Sequence, residues 1–540
     1  MRTLKYLAVV FGLFTAVPAM AQISIVSGDG QQLVTGQVSA PFVVQVTGSE
    51  GGPASGVKVN WVGSPGATTS ISNTETFTDA SGQTGITAIV GIPGPARIIA
   101  TLDDGAQVIF NIFAGVQNIA NLSPIQVSVG NAIDIACPAL AGSEGLNADA
   151  SDLLNRCSEV VVFADQNPVE AAAALINMAT EETSAQGSMA TEVSLTQTRN
   201  VKSRLLALRG GSTGVDATGL VINTSAGPFA LGLAGDGEGP LATSFGNWGL
   251  FVNGRISFGE KDATDREVGF DSDGYGLTAG VDYRFTNRFV LGAALGYNSE
   301  SNDLDGNLGD LDVDGYSFSG YGAYAAESGW YLDGLITLAR NELDSRRRIN
   351  YSIPSLGGGT TVVDQVAIGE PDGDNLAFAL SLGKDFISGE RRFSPYLRVE
   401  HTSVEIDGYT ERLSNPTGAG GGLGLVVSDQ DIDSLEGVLG ARLGWTLSRG
   451  WGVLLPQFTA EFIHEFDDDS RVVAARFIND PTSTAFTFAT DDPDRNFVTL
   501  GASLGFVFAN GRSAFVSYES LLGYDDVSQH VITAGGRFEF

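Results

Sequence analysis

Acidic side chains outnumber basic ones 63 to 30 along the 540 residues of this chain, leaving a formal net charge of −33. Holding a phosphate backbone takes clustered Lys and Arg, so this balance excludes nucleic acid as a partner. The hydrophobic fraction of 43% is distributed in long alternating segments, which excludes a disordered chain, and the length leaves room for more than one domain.

The first residues, MRTLKYLAVVFGLFTAVPAMAQ, read as a secretory signal peptide covering residues 1–21. Arg2 and Lys5 make a positive region, Leu7 to Val17 an apolar one, and Ala19-Met20-Ala21 a small-x-small cleavage site with the cut between Ala21 and Gln22. The apolar run falls short of the ~20 residues that a spanning helix needs. The mature chain is therefore expected outside the cytosol. In an oxidising compartment the two cysteines, Cys137 and Cys157, are expected to pair and close a loop of about 21 residues, contributing roughly 3 kcal/mol. Two thiolates with no His nearby are too few ligands for zinc.

From Gln22 to about residue 115, β-rich runs (PFVVQV, GVKVNWVG, QTGITAIVG, AQVIFNIF) alternate with the turn clusters GSEGGPASG, TDASGQ and GIPGP. Such spacing without a helical period indicates a β-sandwich, with Trp61 in its core. This stretch resembles the bacterial Ig-like domains of the invasin/intimin type, on SGDGQQ, PFVVQV, GVKVNW, TDASG and IIATLDDGAQVIF. The resemblance implies a spacer or adhesive module on a bacterial surface.

Residues 116–244 form a Cys-bounded and helical linker region. NPVEAAAALINMATEETSAQ and MATEVSLTQTRNVKSRLLALRGG are rich in strong helix formers and free of Pro after Pro168. Gly210 stands where a helix would end, behind Arg204 and Arg209. The Gly-rich 211–244 reads as linker.

Residues 245–540 change to a period of two. Tyr275, Leu277, Ala279, Val281, Tyr283 and Phe285 share one strand face, and Gly276, Thr278, Gly280, Asp282 and Arg284 the other. The same alternation recurs to the C-terminus, with aromatics near strand ends on the apolar face and charged or small residues opposite, as in a barrel with lipid outside and water within. Strands crossing lipid must close into a barrel, because open edges leave backbone groups unpaired in hydrocarbon. Twelve strands are expected, starting near Trp248, Tyr275, Phe289, Tyr316, Trp330, Leu376, Phe393, Leu435, Val453, Phe497, Ala514 and Val531. Tight turns alternate with longer acidic segments such as 300–312, 342–373 and 405–432. On the wet face, Arg284, Arg398, Arg442 and Arg537 are expected to pair with Glu400, Glu436, Glu461 and Glu539.

The segment resembles the autotransporter β-domain, on WGLFVNGRISFG, DGYGLTAGVDYRF, GYSFSGYGAYA and the closing GGRFEF. That resemblance implies type V secretion: a twelve-stranded transmembrane barrel inserted with the barrel-assembly machinery, which recognises the terminal aromatic strand (here Phe538 and Phe540). It also implies an exported N-terminal passenger and a helix threading the pore. Residues 188–209 would extend about 33 Å at 1.5 Å per residue, comparable with the ~30 Å hydrocarbon thickness.

Three histidines, His401, His464 and His530, all fall in the barrel segment. A His-dependent triad or metal site in the N-terminal region is thereby excluded. His401 beside Glu400, and His530 near Asp525 and Asp526, are the candidates for a barrel-rim hydrolase. DLDVDG (Asp310 to Gly315) opens like an EF-hand loop but has Tyr321 where Glu should stand. No cofactor or metal is expected, although rim carboxylates at Asp303, Asp305, Asp310, Asp312 and Asp314 are placed to gather divalent cations beside lipopolysaccharide.

The chain is thus expected to be predominantly all-β, an Ig-like sandwich and a short helical region ahead of a C-terminal barrel. It is expected in the outer membrane of a Gram-negative bacterium, displaying its passenger for adhesion or contact with a host or neighbouring-cell ligand, and not to be an enzyme. The alternatives are a porin-like channel with a periplasmic Ig-like domain and the rim hydrolase.

Overall fold

A computed structural model describes residues 21–63, 69–180, 182–209, 215–216, 220–222, 229–231, 248–508, 513–527 and 530–537. Residues 1–20 of the signal segment, and Phe538, Glu539 and Phe540 at the end, lie outside the described residues. The chain divides into two compact units, one running to Ala120 and completed by Val160–Ala171, the other made of Asn121–Glu159 and Ala172–Phe540.

In the first unit, strands Gln22–Ser27, Phe42–Thr47 and Gln83–Ile86 pair in that order, and Gln31–Leu33, Gln107–Ala114, Gly94–Leu102, Lys58–Gly63 and Glu75–Phe77 form a second sheet in that order. Alternation along each strand sends Phe42, Val44 and Val46 from one sheet against Val59, Trp61, Ile98 and Phe110 from the other. Trp61 is buried, its indole N–H donating to Thr76 Oγ1 at 2.8 Å. The TDASGQ turn is held by Asp79, whose Oδ1 accepts from Ser81 Oγ (2.6 Å) and from the backbone N–H groups of Ser81 and Gln83. Gly82 follows at φ +75°, where a Cβ would meet the Val46 carbonyl at 2.7 Å.

Residues 116–244, read as a linker region from sequence, are different where they are described. Four helices occupy this stretch: α1 (Pro124–Ala141), α2 (Ala148–Phe163), α3 (Pro168–Asn177) and α4 (Glu182–Arg209). Ser123 and Gln126 make a reciprocal capping box ahead of α1, with Pro124 in its first turn. The Cys137–Cys157 disulfide joins α1 to α2. The sequence places the start of the last helix at 188, but α4 begins at Glu182, after a break at residues 178–180. There the Thr183 hydroxyl donates to the Thr180 carbonyl at 2.5 Å, engaging an acceptor that a continuous helix would use.

The barrel comprises strands β1 (Trp248–Lys261), β2 (Phe270–Thr286), β3 (Phe289–Leu304), β4 (Gly309–Ala325), β5 (Trp330–Pro354), β6 (Asp372–Lys384), β7 (Arg391–Ile406), β8 (Gln430–Trp445), β9 (Gly452–Glu465), β10 (Asn496–Phe508), β11 (Ser513–Leu522) and β12 (His530–Arg537). Each is antiparallel to the one before it. Segment 342–373, expected as a loop, is largely strand. The outer half of β5 pairs with a return strand, Thr360–Gly369, while its inner half pairs with β6. Parts of the other long connections, Tyr409–Thr410, Leu425–Val427, Val472–Phe477 and Phe486–Ala489, build a separate small sheet.

Candidate functional site: a lipid-facing band around an occupied lumen

The outward face of β5 reads Trp330, Leu332, Gly334, Ile336 and Leu338, then changes abruptly to Arg340, Glu342, Asp344 and Arg346. Its large apolar members are exposed, Leu338 at 55%. The change lies at one level on neighbouring strands, because Leu338 is in register with Phe318 and Leu376, whereas Arg340 is in register with Tyr316 and Asp374. Tyr275, Tyr297 and Tyr316 stand next to one another near this boundary, with ring centroids 6.2 and 5.2 Å apart. Tyr283, Phe285 and Phe289 cluster at the short-turn end, where Lys384 Nζ also lies 5.2 Å from the Trp330 ring. Nine residues at ~3.3 Å each give about 30 Å along the strand, which the tilt of a barrel strand brings down toward the ~25 Å of an outer-membrane apolar band. Exposed leucines and aromatics in such numbers are costly in water; lipid is the solvent that suits them.

The inward faces are polar and meet α4, which lies alongside β1 to β7. The contacts step down the helix. Near the long-loop end, Asn375 Nδ2 donates to the Ala190 carbonyl at 3.1 Å. Midway, Gln197 Nε2 donates to Ser319 Oγ (3.1 Å), Gln197 Oε1 accepts from Thr278 Oγ1 (2.6 Å), and Asn200 Nδ2 donates to Thr278 Oγ1 (3.1 Å). A Cβ on Gly296 would strike the Gln197 amide, so a glycine there permits the helix to approach the wall. Toward the short-turn end, Arg204 Nε donates to Asp282 Oδ2 at 2.8 Å, and Lys202 pairs with Glu400. Val201 and Leu205 pack against Val290, Ala294, Tyr321 and Leu335 of the wall. Apolar complementarity joined to side-chain pairing makes α4 a fitted occupant of this lumen.

The expected wall charges divide. Arg398 makes a bidentate contact to Glu461 (2.8 and 2.9 Å) and also pairs with Glu400. Arg442 is a correction: among the described residues it makes no ion pair, and its guanidinium lies 4.6 Å from the centre of the Tyr396 ring, a cation–π contact. Glu436 is another, since among the described residues it makes no ion pair and stands in register between Glu400 and Glu465. Arg284 holds an inward register position opposite Val290. Arg537 pairs as backbone with Ser513 in β12, and its side chain, like all of Glu539, lies outside the described residues. Lys202, Arg204 and Asp282 were absent from the expected charge set. The available signal was the basic run RNVKSRLLALR in so acidic a chain, whose charges need carboxylate partners.

The remaining candidates sit elsewhere. His401 faces outward near the band's outer edge, its Nδ1 3.1 Å from the Ser434 carbonyl oxygen, and His464 Nδ1 lies 2.8 Å from Asn496 Oδ1. His530 belongs to β12, with its side chain outside the described residues. Asp310 to Gly315 is part of β4 and not a loop, with Asp310 paired to Arg346 (3.0 Å) and Arg348 (3.1 Å). Among the described residues no group of three or more His, Cys, Asp and Glu is arranged to hold a metal ion.

The family model described as the autotransporter beta-domain matches residues 250–519. Esterase EstA of Pseudomonas aeruginosa is 28% identical over 299 residues, covering 54% of this chain and 42% of the esterase, and the protein of that name from Pseudomonas putida gives the same figures. The chain thus spans less than half the length of these relatives. Among solved structures, the translocator domain of the autotransporter NalP from Neisseria meningitidis is 17% identical, with a TM-score of 0.40, covering 55% of this chain and 90% of that domain. One expectation is overturned. The expectation that the protein is not an enzyme is contradicted by relatives named as esterases.

Proposed function

Because this chain belongs to the autotransporter β-domain family, and is therefore an outer-membrane barrel protein with a surface-exposed passenger, we propose that it carries its own N-terminal region through the membrane and displays it for contact with other surfaces. The observation that supports the reading most is α4 in the lumen. Its N-terminal end lies toward the long loops and its C-terminal end toward the short turns, so the chain preceding Glu182 leaves on the long-loop side. In outer-membrane barrels that side is extracellular. On this reading residues 22–115 are an Ig-like adhesive module, the ligand is a host or neighbouring-cell surface, and lipopolysaccharide surrounds the acidic rim. Barrel assembly depends on Phe538 and Phe540, and export on cleavage between Ala21 and Gln22.

The test is protease added to intact cells. Display requires loss of residues 22–115 from the full-length band while the barrel survives. A porin with a periplasmic sandwich requires that the same residues be cut only after the outer membrane is broken.

The esterase relatives favour a second reading, in which the chain also hydrolyses esters. Cells expressing it are then expected to cleave p-nitrophenyl butyrate faster than cells carrying the empty vector. His401→Ala tests whether the rim histidine takes part; equal rates with and without the protein remove this reading.

A further inference from the structure

Between α3 and α4 the chain turns from the helices outside the barrel into the lumen, and this turn is sealed. Met178, Ala179, Thr180, Glu182 and Thr183 are each no more than 2% exposed. Arg347 lies at the centre of the seal, seven residues beyond the level at which β5 leaves the apolar band. Its guanidinium donates to both carboxylate oxygens of Glu411 (2.9 and 2.6 Å), to the Asn177 carbonyl that ends α3 (3.1 Å) and to the Leu423 carbonyl (3.3 Å). Glu182, in the first turn of α4, lies 3.6 Å from the same group. Glu411 is held in turn by the Leu425 N–H at 2.8 Å, and Asn177 Oδ1 accepts from the Asn350 N–H at 2.8 Å. One cation therefore ties the last turn of α3, the first turn of α4 and the connection between β7 and β8 to the extended part of β5.

The other helices dock on the same extracellular strands. Asp152 accepts from the Gly422 N–H (3.0 Å), Glu159 accepts from the Thr361 hydroxyl (2.5 Å), and Ser128 Oγ accepts from the Thr487 N–H (2.9 Å). Inward-facing Ile349, Tyr351, Ile353 and Val363 of the β5 hairpin are buried. Any opening of the mouth must break the Arg347 contacts, because they join the elements that would separate.

We propose that Arg347 is the lock of the outer mouth, closing the α3–α4 turn over the barrel after export so that the pore is shut and the N-terminal region stays attached. This rests on the display reading for its direction only; closure itself is a property of the barrel in any orientation. A buried charge pair broken on one side is strongly unfavourable, so loss of either partner should favour the open arrangement.

The experiment uses the full chain purified in detergent as wild type, Arg347→Ala, Arg347→Lys and Glu411→Gln, each checked for a folded barrel by heat-dependent gel mobility. Planar-bilayer conductance and thermolysin cleavage mapped by mass spectrometry are then measured. Wild type should show no steady conductance and no cut within 178–183. Arg347→Ala and Glu411→Gln should raise the open time about a hundredfold and admit cuts there, with Arg347→Lys in between because it keeps the charge without the fork. If Arg347→Ala fails to fold, the near-isosteric Glu411→Gln decides. Folded variants as closed and uncut as wild type overturn the proposal, as does steady conductance by wild type. A wild type that is closed and protected, on cells whose Ig-like unit protease cannot reach, leaves the lock standing and removes the display reading.

Discussion

Arg204 has almost no contact with solvent and is paired with Asp282, itself 5% exposed. The Tyr321 hydroxyl also reaches that carboxylate, at 3.2 Å. Arg204→Ala leaves the Asp282 charge without its guanidinium, a change worth about 3–5 kcal/mol when a buried pair is broken. Adding Asp282→Asn should recover part of that loss, so the double variant is expected to be less damaged than the sum of the singles. Hydrogen exchange of the α4 amides in the detergent-solubilised protein measures it. Asp79 makes a residue-scale case governed by pH. The Ser81 hydroxyl, and then the Gln83 N–H, hold its carboxyl below the ordinary carboxylate range. A depressed folded value means that the stabilisation is complete above the unfolded pKa of ~3.9 and is lost as pH falls through the folded value. Asp79→Asn is therefore expected to weaken the N-terminal β-sheet unit at neutral pH but to flatten its loss of protection on acidification, read from hydrogen exchange around Trp61. Asp79 was legible in the sequence as part of a turn, its hydroxyl partner only in three dimensions.

Strand β5 shows how one element reports two solvents. Its alternation continues unbroken for 25 residues, and only the identity of the outward residues changes after Leu338. Segment 342–373 read as a loop because NELDSRRR is dense in charge, yet Leu343, Ile349, Tyr351 and Ile353 keep the same parity and face inward. A strand that leaves lipid keeps its period while losing its outer hydrophobicity, so composition marks the bilayer edge and not the strand end. Ile336→Arg, within the band, is expected to destabilise folding into lipid by ~2–4 kcal/mol. Asn350→Arg, beyond the band on the same strand, should change it by less than about 1 kcal/mol. Urea titration of folding into vesicles separates the two. Helix α1 is hidden from sequence reading for a local reason: PIQVSVGNAIDIACPALA carries β-branched residues and an internal Pro138, which lower helix propensity until tertiary packing supplies the difference.

At the scale of the whole molecule, the barrel was legible because a period of two with unlike faces records a boundary between media. The helix within it was harder to place, since α4 is polar on most sides and lacks the apolar stripe that announces a core helix. Its partners are spread over strands about 80 to 200 residues away, from Asp282 to Glu400. The enzyme question shows another limit: a triad is legible only where its histidine stands, whereas the likeness to relatives named as esterases is spread over 299 residues. Every reading of export and display depends on lipid bathing the outward faces and on α4 filling the interior. The most direct test places a nitroxide spin label in turn at Leu332, Ile336, Thr337, Leu338 and Asp344 of β5 in the full chain reconstituted in lipid vesicles, and compares accessibility to oxygen with accessibility to a water-soluble nickel chelate. The account predicts oxygen-dominated relaxation at 332, 336 and 338, chelate access at 344, and little access to either reagent at 337 against α4. Chelate access at all of the outward positions would contradict it.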